Sequence, residues 1–223
     1  MSVNHNDIKE FLLKSSGREI RINPNNEIPK SPNPLKLSKW YEEELKWINK
    51  QIDELEEEFG MCNICKEGCN HCCKLAVPVS HAELLIIQKE TSKFSADIKD
   101  ELLTKTVNIC KLLDANELSS NIHPSRHHSN EGIKASYYEL NITCPLLNDE
   151  GRCMIYPVRP VSCCTYRAYN SYNDCINAHV VDTAIAFDEY GLFLNNNMAK
   201  AKKDKAYFKL IPLALRDALS KRL

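Results

Sequence analysis

Between Cys62 and Cys73 the chain reads Cys-Asn-Ile-Cys-Lys-Glu-Gly-Cys-Asn-His-Cys-Cys, which places five thiols within twelve residues. Thiolate sulfur is a soft ligand for zinc or for the iron of a cluster, and spacers of two or three residues let neighbouring sulfurs converge on one ion. Gly68, directly before Cys69, frees the backbone for the tight turn that such convergence needs. The stretch has the chemistry of half a metal site. Further possible ligands stand far along the chain at Cys144, Cys153, Cys163, Cys164 and Cys175. Asn148-Asp149-Glu150-Gly151 is turn chemistry that brings Cys144 and Cys153 together on the arms of a small hairpin. Pro157 and Pro160 forbid a helix between them and set the approach to Cys163, while Arg152 and Arg159 are suited to balance thiolates and donate to them.

Together these blocks resemble the bacterial and archaeal cysteine-cluster family that carries a zinc- or iron-chelating domain. The resemblance runs from about Cys62 to His179. It rests on Cys65, Cys69, Cys72 and Cys73 ahead of a hydrophobic segment and Glu83. It continues with Cys144-Pro145-Leu146-Leu147, Gly151-Arg152-Cys153-Met154-Ile155-Tyr156, Arg159-Pro160 and Cys163, and ends with Cys175 as the trailing cysteine. The ligand set it implies is Cys65, Cys69, Cys72, Cys73, Cys144, Cys153, Cys163 and Cys175, holding zinc ions or iron. Eight thiolates suit a pair of sites better than one, because the side chains of Cys72 and Cys73 diverge unless the backbone bends sharply; one iron-sulfur cluster with spare thiols is the other arrangement.

This chain departs from the family at Cys164, where arginine is usual. Either Arg167 substitutes for that charge, or Cys164 replaces a neighbour as ligand. Cys62 falls outside the pattern and reads as an alternate or supporting thiol. His71 inside the knuckle and His179, four residues past Cys175, are further candidates. A related cysteine domain in flagellin lysine methylases implies an alternative, an iron-sulfur or S-adenosylmethionine-dependent protein methylase-like enzyme. Because the chain offers no Gly-rich cofactor loop, Ser-His-Asp set or paired carboxylates at a telling spacing, a metal-binding module ranks first and the question of an enzyme stays open.

Composition narrows the setting. Lysine and arginine number 29 against 30 acidic residues, so no basic field exists to hold nucleic acid or an anionic membrane. The lysines at 200, 202, 203, 205 and 209 read as a solvated face. No membrane span or secretory leader is legible, and eleven cysteines without an export signal point to a reducing, cytoplasmic location.

The elements that must position the thiols are mainly helical, with irregular cysteine-rich loops and the small hairpin, in one metal-nucleated domain. Residues 1–37 form an arm with a proline-rich loop. Residues 38–60 are an amphipathic helix whose stripe, opening at Leu37 just before it, continues through Tyr41, Leu45, Ile48, Ile52, Leu55 and Phe59 at helical spacing. Its Trp40, Tyr41, Ile48 and Phe59 face is expected to pack on the domain, a protein partner being the other possible cover, and its acidic run to face solvent. The cysteine-cluster domain follows at 61–190. Within it Ser80 and Glu83 match a capping box, helices run from there to Thr91 and from Ala96 to Asp114, and Cys110 sits in the apolar stripe of the latter as a small buried hydrophobe. Residues 116–132, with His123, His127 and His128, read as an irregular connection, 137–142 as a short strand and 180–187 as a helix. A loop at 191–197 and a helix from Met198 to the end complete a 191–223 segment packed on the domain.

Overall fold

The computed structural model describes residues 3–15, 17–29, 33–119, 127–177, 180–202 and 208–219, with backbone alone at 127–131 and 201–202. Among these, the fold is mainly helical with two small antiparallel sheets. No described helix is long and apolar enough to cross a membrane.

A short helix, α1 (His5–Ser15), precedes the long α2 (Pro34–Glu58). The long helix starts before Ser38 because Asn33 caps it, its side chain accepting the amides of Leu35 and Lys36, and Pro34 occupies the first turn, where no amide is needed. It ends where Gly60 takes φ +65° and the Met61 amide reaches back to the Glu56 carbonyl at 2.8 Å. That turn feeds the chain directly into the cysteine knuckle.

The stripe on α2 is covered from within the chain: Leu37, Trp40, Tyr41, Leu45, Ile48, Ile52 and Leu55 are buried, and Phe59 packs at the margin. The acidic run departs from expectation at two places. Glu44 is 1 % and Glu56 4 % exposed. Both fall on the row Trp40-Glu44-Ile48-Ile52-Glu56, whose i,i+4 spacing places them on the buried face, and each survives there by being hydrogen-bonded. Glu44 accepts from the Asn23 amide and the Asn26 side chain.

Past the knuckle come β1 (Pro78–Ser80) and then α3 (His81–Thr91) and α4 (Ala96–Ala115), the two helices close to their expected bounds. The capping box is present, with the Glu83 amide donating to Ser80 Oγ and the Ser80 amide to the Glu83 carboxylate. Helix α5 (His127–Glu139) replaces the end of the expected loop, from 127 to 132, and the first half of the expected strand, because Ile133 and Tyr137 share a helical stripe that, with Leu140 just beyond, packs with Cys110, Leu113, Leu210 and Leu213 in a second apolar cluster. His123 lies outside the described residues, as do the side chains of His127 and His128.

The second cysteine block is built on the hairpin, a 3-10 turn at Tyr156–Val158, and the short α6 (Val161–Thr165). Strand β2 (Tyr166–Ala168) leads to α7 (Tyr172–Asn177), which carries Cys175. The helix expected at 180–187 is instead β3 (Ala184–Ala186), paired antiparallel with β2, since Ile185 finds its burial by strand pairing that local sequence does not encode. The loop expected at 191–197 lies inside α8 (Asp188–Lys202), where Tyr190, Leu194 and Met198 bury a continuous i,i+4 row that outweighs three asparagines. The single terminal helix is divided: β4 (Phe208–Leu210) pairs with β1, and α9 (Ile211–Leu219) follows. Tyr207, Lys203 and Lys205 lie outside the described residues. The main core runs through α1, α2, α3, α6, α8 and α9 and backs directly onto the cysteine-lined face.

Candidate metal centre

The knuckle is shaped by its own backbone. Gly68 adopts φ +89°, the Cys69 amide donates to the Lys66 carbonyl at 3.0 Å, and a 3-10 turn spans His71–Lys74. The hairpin meets it edge-on. Cys144 donates its amide to the Cys73 carbonyl at 2.9 Å, and Asn70 Nδ2 donates to the Gly151 carbonyl at 3.1 Å. Within the hairpin, Leu147 and Cys153 form a β-bridge, with the turn closed by the Arg152 amide on Asn148 Oδ1. The knuckle's leading edge is tied to β2, where the Ile64 amide reaches the Ala168 carbonyl at 2.8 Å and the Ala168 amide points at Cys65 Sγ, 3.4 Å away.

These contacts close a cavity of about 660 Å³ whose wall includes Cys65, Cys69, Cys72, Cys73, Cys144, Cys153 and Cys163. Seven of the eight expected ligands therefore surround one space. Cys175 is not part of that wall; it sits half-buried on α7, an electrostatic neighbour of Cys65, Cys69 and Cys72. Cys164 joins the wall and is buried, whereas Cys62 is exposed and stands apart. His71 also stands off the wall, its ring 6.0 Å from that of Tyr172. His179 lies outside the described residues. Cys110 is 2 % exposed in the second apolar cluster, its thiol donating to the Pro212 carbonyl at 3.4 Å, as its place in a helix stripe predicted.

All eleven thiols are unpaired. Burial pushes Cys144 up to about 12 and Cys164 up to about 11, and holds Cys163 well above its ordinary range. Opposing that rise, the amides of Leu146 and Ile155 donate to the sulfurs two residues before them, Cys144 and Cys153. Such amides stabilise sulfur as thiolate, and so does a nearby cation.

Arginine supplies part of that charge. Arg159 lies on the cavity wall, stacked 3.8 Å from the centre of the Tyr156 ring and electrostatically coupled to Cys153, Cys163 and Cys164. Arg152, expected to share this task, is exposed beside Glu150 and away from the wall. Arg167 takes a place that sequence spacing only hinted at. Its side chain is 9 % exposed, with Nη1 on Asp53 at 2.9 Å and on Glu56 at 3.4 Å, and Nη2 on Asn49 Oδ1 at 3.0 Å. It neighbours Cys65 and Cys164. Asn49 and Glu56 were missed as site residues, although the i,i+4 row through Glu56 carried the signal.

Glu83 is a second anchor. Buried between α2 and the second block, its carboxylate accepts the Tyr41 hydroxyl at 2.8 Å and the Val161 amide at 3.0 Å, which fixes the start of the helix bearing Cys163 and Cys164.

The donor set fits zinc or iron in its chemistry: sulfur ligands, amides directed at sulfur, and two guanidinium groups. Among the described residues, no three His, Cys, Asp or Glu side chains already stand close enough to hold one ion; the thiols surround a common space.

A cysteine-walled cavity between two sequence-distant blocks defines a class of metal-chelating protein. The model of the CxxCxxCC family, described as "putative zinc- or iron-chelating domain", matches residues 64–181, more than half of the chain, and the chain belongs to that family. The match begins after Cys62, the thiol that stands off the cavity. No curated protein and no solved structure matches the chain.

Proposed function

We propose that this protein is a metal-binding module that holds zinc or iron through Cys65, Cys69, Cys72, Cys73, Cys144, Cys153, Cys163 and Cys175. The observation that supports the reading best is the joining of the two cysteine blocks around one cavity, with the Cys144 amide on the Cys73 carbonyl. A bound ion supplies the positive charge that lets buried thiols ionise. The chain's own residues orient the sulfurs, direct the Leu146, Ile155 and Ala168 amides at them, and balance residual charge with Arg159 and Arg167. A reducing compartment, and hence a cytoplasmic location, is part of the proposal, because oxidation of adjacent thiols removes ligands.

Anaerobic purification followed by elemental analysis and an absorption spectrum tests it. Bound zinc leaves the visible region silent, whereas iron-sulfur chemistry gives charge-transfer bands and acid-labile sulfide. Protein that retains neither metal, and takes up neither on reconstitution, overturns the reading.

A further inference from the structure

We propose that Glu56, on α2, is the positioning residue that holds Cys65 in place for metal, acting through Asn63 and β2. The role rests on the metal-binding reading of the cavity and deepens it. Glu56 and Asn63 both precede residue 64, where the family's matched stretch begins, so the helix ahead of that stretch becomes part of the site.

Cys65 needs support from elsewhere in the chain. It is the exposed thiol of the cavity wall, and residues 61–66 form neither helix nor strand. In such a loop little packing fixes a side chain, so hydrogen bonds must set its place.

Those bonds converge on Glu56. One carboxylate oxygen, Oε2, accepts Asn63 Nδ2 at 2.7 Å, and Asn63 Oδ1 in turn accepts the Cys65 amide at 3.1 Å. The same oxygen accepts Arg167 Nη1 at 3.4 Å, while Oε1 accepts the Tyr169 hydroxyl at 2.8 Å. Arg167 and Tyr169 flank Ala168, whose amide points at Cys65 Sγ and whose carbonyl takes the Ile64 amide. The Glu56 backbone carbonyl holds the Met61 amide, which fixes where the loop leaves the helix. Cys65 is thus gripped at its amide and at its sulfur by groups that Glu56 orders.

The location of Glu56 is otherwise unfavourable. In the last turn of α2 a carboxylate meets the negative end of the helix dipole, and at 4 % exposure it has lost its water. A carboxylate is nevertheless the group the site needs, because it only accepts, and three side-chain donors are aimed at it. A glutamine would turn an amide donor toward one of them.

Glu44 supplies the control. It is a carboxylate on the same helix at 1 % exposure, and the Asn23 amide and Asn26 side chain that bond it belong to the N-terminal arm.

The test uses the full chain, prepared anaerobically and titrated with zinc alone against a chromophoric chelator. A parent that takes up iron but not zinc is compared through iron retention against a chelator. Glu56→Gln should lower metal affinity by about 10–100-fold, the range typical of residues that orient metal ligands, with Asn63→Ala in the same range. Glu44→Gln should lower the denaturation midpoint and leave metal affinity at the parent value. In a Cys65→Ser background, Glu56→Gln should weaken binding no further. Should Glu56→Gln fail to fold, Asn63→Ala decides, since it removes the tether from a loop and leaves Glu56 with Arg167 and Tyr169. Parent affinity in Asn63→Ala, equal losses in Glu44→Gln and Glu56→Gln, or a full further loss in the Cys65→Ser background would overturn the positioning role and leave the metal-binding reading intact. A parent chain that takes up neither zinc nor iron overturns the metal-binding reading itself.

Discussion

The backbone amide of Cys144 donates to the carbonyl of Cys73 at 2.9 Å, so the two cysteine blocks touch through main chain as well as lining one cavity. This bond lies beside the cavity, and the main apolar core lies behind it. Cavity and core therefore occupy different parts of the molecule.

Metal removal should accordingly act locally. Structural zinc can contribute on the order of 10 kcal/mol to a small domain, comparable with a domain's whole stability. Here α2, α3, α8 and α9 retain a core of their own. Chelation should leave most far-UV helical signal in place while the amides of Cys144 and Ile64 lose hydrogen-exchange protection. Complete loss of helix on chelation would show that the core cannot stand without the metal.

Replacing Gly151 with alanine should be costly for two separable reasons. Gly151 holds φ +73°, and a Cβ there would lie 2.5 Å from Asn70 Nδ2, the atom that bonds its carbonyl. Left-handed strain and the lost hydrogen bond together should cost about 2–4 kcal/mol in denaturant unfolding. In an Asn70→Ala background the same substitution should cost less, because the clash is gone. An equal cost in both backgrounds would mean that backbone strain alone matters.

Arg167→Ala should destabilise by about 3–5 kcal/mol, because it leaves the Glu56 carboxylate buried without its ion-pair partner. Glu56 would retain the Tyr169 hydroxyl and the Asn63 side chain. Arg167→Lys should recover only part of the loss, since one ammonium cannot reach Asp53, Glu56 and Asn49 in the way that two guanidinium nitrogens do. Chemical denaturation of both variants in metal-loaded protein measures this.

Cys110 provides a pH test away from the cavity. Burial pushes its thiol up to about 11, above the range of about 8.5 for an unfolded cysteine. As pH rises between these values the unfolded chain loses its proton first, so the contribution of Cys110 is complete below the lower value and is lost through the higher one. Cys110→Ala should flatten the alkaline fall in stability relative to the parent, with metal content unchanged. Cys69→Ser and Cys163→Ser, by contrast, should bind less metal at every pH. A parallel fall in Cys110→Ala and parent would show that other groups set the alkaline slope.

Where the sequence carried a local code, the structure follows it. The α2 stripe, the Ser80-Glu83 capping box, α4 with its buried Cys110 and the Asn148–Gly151 turn all depend on residues within a few positions of each other. The cysteine spacings likewise announced a metal-chelating chemistry. Tertiary structure decided what has no local signature. Residues 184–186 become a strand because β2 lies alongside, and 191–197 become helix because Tyr190, Leu194 and Met198 meet the core. Arg167 becomes buried because Glu56 and Asn49, on a distant helix, meet its charge and its donors. The gathering of the two cysteine blocks around one cavity belongs to the same class. Spacing shows which sulfurs can reach an ion, but which sulfurs become neighbours depends on how the hairpin and α7 pack against the knuckle.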